Sequence, residues 1–151
     1  SNRAKHHHFG KEKCQLVFGF SHQLEKFLIN LFPGIQFFHE WDLLIHELED
    51  SPKSALVLFN GDRAHLLIQY QNKLVFANHF EVKQLEDFLY YYHYALKKCE
   101  LSQELPLKIR GDWPNHFSQE VLETYVRYID WPKENQNTLQ YLLENMTLCA
   151  S

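Results

Sequence analysis

The residues whose types and spacing could do chemistry are few. His39, Asp42 and His46 fall within about a 60° arc if residues 39–49 form one helix, and metal ligands can sit in that arrangement. The same arc lies opposite the apolar stripe Trp41, Leu44, Ile45 and Leu48, so a solvated helix face accounts for it equally. The spacing matches no named zinc signature. His6-His7-His8 could also hold metal, but the tract is expected to be flexible, and a flexible tract is a poor site. A nucleophile–histidine pair built on Cys99 or Ser118 would need a third, orienting group, and no stretch of sequence supplies one. His65 and His79 stand in strand-like runs, as polar positions facing an edge. No complete catalytic set can be assembled from these residues, and an enzyme is not the expectation.

Tyr90, Tyr91, His93 and Tyr94 form a second group. They flank the apolar stripe Leu85, Phe88, Leu89, Tyr92 and Leu96 of a helix beginning near Lys83. Tyrosine can bury its ring and keep its hydroxyl wet, so partial burial under neighbouring elements is one reading. A contact surface for a protein partner is the other, because tyrosine is enriched at interfaces.

The elements that position these groups follow from periodicity. Gln15–Phe20 reads as a strand. Ser21 then stands where a helix cap belongs, followed by Leu24, Phe27, Leu28 and Leu31 at helical spacing. Pro33-Gly34 stops that helix, Ile35–Phe38 reads as a second strand, and residues 40–49 as an amphipathic helix. Three strands come next, Ala55–Phe59, His65–Tyr70 and Lys73–Phe80. They are joined by turns at Asn60-Gly61-Asp62 and Gln71-Asn72. After the Tyr-rich helix come a short strand, Leu107–Arg110, a helix from Ser118 to about Ile129, and a last helix opening at Asn137 or Thr138. The order is β-α-β-α, then β-β-β-α-β-α, then a closing helix. A three-strand meander followed by α-β-α is the ribonuclease-H-like order shared by the actin-like ATPases. A nuclease of that order needs a carboxylate on its first meander strand to hold metal, and Ala55–Phe59 contains none.

Composition narrows the function classes. The chain has 151 residues, 45% hydrophobic and 15% aromatic, with a formal net charge of −4. Length and composition fit one α/β unit over residues 14–151 with a sizeable core. Lys and Arg are scattered, so no basic footprint for nucleic acid is expected. No apolar run reaches the length of a membrane span. Three distant cysteines suit free thiols in a reducing cytoplasm. Residues 1–13 are polar and are expected to be frayed or tag-derived.

Two stretches carry a family resemblance. One runs from Ala55-Leu-Val-Leu-Phe-Asn-Gly-Asp62 through Lys73-Leu-Val-Phe-Ala-Asn-His-Phe80. The other is Glu86-Asp-Phe-Leu-Tyr-Tyr-Tyr92. With Lys108-Ile-Arg-Gly111 and the tract from Leu31-Phe-Pro to His39, they resemble an uncharacterised bacterial family with an actin-like fold, domain of unknown function 3822. The likeness covers most of residues 14–131 and looks like a C-terminal half. It implies that residues 14–49 are the tail of a first subdomain and residues 54–131 the core of a second. In the wider actin-like group two such subdomains close over a nucleotide.

The resemblance implies where a nucleotide would sit. Phosphates and Mg would lie at Asn60, Gly61 and Asp62, and base or ribose near Arg110 and Gly111. Nucleotide-binding members place Asp-x-Gly at the first turn, the Asp working through metal and the Gly admitting the phosphates. Here Phe59-Asn60-Gly61 stands there, and the second turn keeps a single Gly in Arg110-Gly111-Asp112. Both departures point to a degenerate, non-catalytic module acting through a protein partner or self-association. An ATP/Mg-binding protein is the alternative, and a metal-dependent enzyme using His39, Asp42 and His46 is a further one. Self-association is expected through the strands at 15–20 and 35–38, which would lack neighbours.

Overall fold

The computed structural model describes residues 2–8, 15–134 and 136–149. Its centre is the expected meander: β3 (Lys53–Asn60), β4 (Arg63–Tyr70) and β5 (Lys73–Glu81) pair antiparallel. β3 is an unbroken apolar run because both faces of the sheet are covered there. Ala55, Val57 and Phe59 enter one core, beneath α3 (Leu85–Lys98). Leu56 and Leu58 enter another, beneath α2 (Glu40–Leu48) and α5 (Thr138–Cys149). The turns use the backbone their residues favour. Gln71 and Asn72 take φ +52° and +58°, as a type I′ hairpin requires, and Gly61 takes φ +62° between β3 and β4.

β6 (Leu107–Gly111) lies parallel to β3, with Phe59 opposite Gly111. The five-stranded sheet runs β5-β4-β3-β6-β7, where β7 is Ile129–Asp130. β7 corrects the expected helix from Ser118 to Ile129. That helix, α4 (Gln119–Tyr125), is capped by Ser118, whose hydroxyl accepts the Val121 amide, but it ends early. Val126 is already extended, and Ile129 pairs with Leu107. β-Branched side chains resist the helix and suit a sheet place when one is open.

The N-terminal part departs further from expectation. Residues 2–8, expected to be frayed, form β1 (Asn2–His8), antiparallel to β2 (Gln15–Ser21) in a separate two-stranded sheet. The remaining residues of that tract, and Cys14, lie outside the described residues. Ile35–Phe38 is not a strand. It spans the few residues between the turn at Gly34 (φ +87°) and the extended cap of α2. The strand at 15–20 therefore has one neighbour, β1, and the one expected at 35–38 is not formed. α1 (His22–Leu31) forms, with Ser21 as cap residue but no hydrogen bond from its side chain. Its stripe is not core: Leu24, Phe27 and Leu31 are 48–59% exposed, while Glu25 is buried. Among the described residues no helix is long and apolar enough to cross a membrane.

Candidate functional site

The C-terminal ends of the parallel pair β3 and β6 open into a cleft of about 820 Å³, lined among others by Gly61, Gly111, Asp112, Trp113, His116 and Asn137. Both glycines of the expected nucleotide turns are thus brought to one place. Gly111 has φ +78°, and a Cβ there would lie 2.3 Å from the Phe59 carbonyl oxygen and 2.8 Å from Thr138 Oγ1. No side chain fits, so strand, turn and helix meet there on bare backbone.

The cleft floor is a closed polar junction. The Thr138 hydroxyl donates to the Phe59 carbonyl at 2.8 Å and accepts the Asp112 amide at 3.0 Å. The Asp112 carboxylate accepts the Thr138 amide at 3.2 Å. Asn137 caps α5 reciprocally: its Oδ1 accepts the Gln140 amide at 2.9 Å, and Gln140 Oε1 accepts the Asn137 amide at 3.1 Å. A helix N-terminus attracts anions through its free amides. Here the amides of Asn137, Thr138 and Gln140 are already engaged, one of them by a carboxylate.

Phe59 stands at the end of β3, where the resemblance implies an acid for a nucleotide site. Its ring is fully buried, edge-on to Phe88 at 5.3 Å, Trp113 at 5.4 Å and Phe117 at 6.0 Å. The other expected nucleotide residues disperse. Asp62 lines a separate cleft of about 410 Å³ with Arg63, His79 and Glu81, and Asn60 is the exposed last residue of β3. Arg110 points to the opposite sheet face. There it pairs with Glu47 and Asp130 at 2.7 Å each, and Tyr141 donates a short hydrogen bond to Glu47. Arg110 is therefore a tie between α2, β6 and β7, not a cleft residue. Sequence reasoning missed Asp112 and Thr138, although Asn137-x-x-Gln140 spells the cap that sets α5 beside them.

The expected metal set does not assemble. His39 and Asp42 cap α2: His39 Nδ1 accepts the Trp41 amide at 3.2 Å, and Asp42 accepts the His39 amide at 2.9 Å. Asp42 is buried, not on a solvated face, and His46 lies 3.5 Å from Glu49 at the other end. Among the described residues no group of three or more His, Cys, Asp or Glu could hold a metal ion. His65 is buried beneath α2, not edge-facing, while His79 is exposed on β5. Cys99 lies against the Val75 carbonyl at 3.7 Å, with burial pushing its thiol up, away from the reactive thiolate.

The Tyr-rich helix divides in two. Tyr91 stacks on Phe80 at 4.2 Å and His93 meets Tyr125 edge-on at 6.2 Å, so both cover core flanks. Tyr90 is 67% exposed and Tyr94 49%; Tyr125 and Tyr128, which sequence reasoning did not single out, are exposed as well.

The family model described as "Protein of unknown function (DUF3822)" matches residues 1–130. Among solved structures, a Bacteroides thetaiotaomicron protein with actin-like ATPase fold and unknown function superposes with a TM-score of 0.76 at 20% identity. The superposition covers 98% of this chain and 59% of that one, so the chain spans about three fifths of that protein's length. At this identity the likeness is one of fold. A search of curated proteins finds no match.

Proposed function

The chain belongs to the DUF3822 family of proteins of unknown function and has an actin-like ATPase fold, and we propose that it is a non-catalytic, degenerate module that works in the cytoplasm through contacts with a protein partner or a second copy. The observation that carries this reading is Phe59. The end of β3 presents a buried ring under three aromatic neighbours where an acid would have to hold metal. The engaged first turn of α5 supports the same reading. Apolar and aromatic side chains meanwhile lie outside, on α1 and around Tyr90 and Tyr94. Exposed aromatic groups of this kind suit a contact surface, because tyrosine is enriched at interfaces.

Sedimentation across a concentration series, on the wild type and on Tyr90→Glu/Tyr94→Glu, tests the self-contact form of this reading. Mass that rises with concentration in the wild type only supports it. A wild type that stays monomeric throughout eliminates the second copy as the partner.

One observation favours the alternative of ATP/Mg binding: Gly61 and Gly111, from two separate turns, line one cleft. If Mg-ATP binds there, Gly61→Val abolishes the binding. Binding that survives that substitution lies elsewhere.

A further inference from the structure

His65 stands near the start of β4 beneath the first turn of α2, buried, with Nδ1 making no hydrogen bond to any described residue. Glu40 Oε1 lies 3.5 Å from that nitrogen, close enough to attract charge but without hydrogen-bond geometry. Trp41 packs edge-on against the imidazole at 5.5 Å, and the His79 ring lies 5.8 Å away on β5. The charged and titratable groups bearing on it are Glu40 and His39 from α2, His79 from β5 and Arg63 from β4. One is acidic and three are basic.

We propose that this imidazole is an acid-sensitive latch that seats the first turn of α2 on the sheet and releases it on protonation. A proton on His65 places a charge in a buried site whose titratable neighbours are mostly basic, and Glu40 can answer it only by moving. The rest of α2 stays held, because Leu44 and Leu48 are core and Gln69 donates to the Leu48 carbonyl at 2.9 Å. Movement is therefore confined to His39, Glu40 and Trp41. His39 is also where Phe18 of β2 touches, with ring centroids 5.3 Å apart. Opening the latch loosens the β1–β2–α1 unit from the five-stranded sheet and changes how the exposed stripe of α1 is presented.

Burial is the largest influence on His65, and His79, Arg63 and His39 add to it, so its titration lies below the ordinary histidine value of 6.5; Glu40 opposes them. The test is a pH titration by NMR of the histidine ring protons, the Trp41 indole and the amides of residues 39–41, from pH 8 to about 4.5. The expected result is a His65 midpoint below 6.5 that Trp41 and residues 39–41 share, with β3 and α3 unmoved. In His65→Gln the shared transition disappears. Glu40→Gln, at a half-buried position, provides a second test if His65→Gln does not fold: it moves the midpoint and the Trp41 transition down together. A His65 midpoint at or above 6.5, or a Trp41 transition that persists in His65→Gln or stays put in Glu40→Gln, overturns the latch.

Discussion

The Thr138 hydroxyl donates to the carbonyl of Phe59 at 2.8 Å, joining residues 79 positions apart at the end of β3 and the start of α5. This contact helps close the polar junction at the cleft floor. Thr138→Val keeps the shape and removes the hydroxyl, leaving the Phe59 carbonyl and the Asp112 amide each one hydrogen bond short. A loss of about 1–3 kcal/mol is expected, measured by urea unfolding.

Gly61 and Gly111 both have positive φ, yet they are expected to respond differently. At Gly61 a Cβ meets nothing within 4 Å, so Gly61→Ala carries only the backbone penalty of about 1–2 kcal/mol. At Gly111 the same methyl adds a 2.3 Å collision with backbone oxygen, and the loss should exceed that of Gly61→Ala by on the order of 1–3 kcal/mol. Paired thermal melts of the two variants give the comparison, and equal losses would contradict the junction geometry.

Much of this was legible in the residues. The apolar runs of β3, β4 and β5, bounded by Asn60-Gly61 and Gln71-Asn72, define the meander, and Phe59 in place of an acid is visible in the string itself. Side of sheet was harder to read. Leu107, Ile109 and Gly111 alternate with Lys108 and Arg110, so Arg110 and Gly111 must face opposite ways, and that alternation already forbids both from lining one cleft. Four apolar residues at 35–38 look like a strand to any local rule, but a strand exists only with a ladder partner. Nor does local sequence reveal that α1 lacks a cover.

Arg110 ties three elements together, so its loss should affect stability and leave the cleft unchanged. Arg110→Met strands Glu47, which is mostly buried, and should cost on the order of 2–4 kcal/mol. Asp130→Asn removes only the exposed partner and should cost well under about 1 kcal/mol. A chemical denaturation series on both variants checks the ratio. Similar losses would mean that Glu47 is not the partner that matters.

Stability should fall on mild acidification. His65 titrates lower in the folded chain than the usual 6.5, so between those two values the unfolded chain binds more protons. This contribution is fully present above pH 6.5 and is lost as pH falls from there through the folded value. His65→Gln should flatten that part of the melting-temperature profile. An unchanged profile in the variant would assign the slope to other groups.

On the proposed reading, Phe59 and the engaged start of α5 leave no working phosphate site. Thermal denaturation of the protein with and without Mg-ATP is the decisive measurement, because a ligand that binds only the folded state raises the melting temperature. No shift at millimolar nucleotide is the expected result. A rise of several degrees, abolished by Gly61→Val, would contradict it and place a functional nucleotide site at the β3–β4 turn.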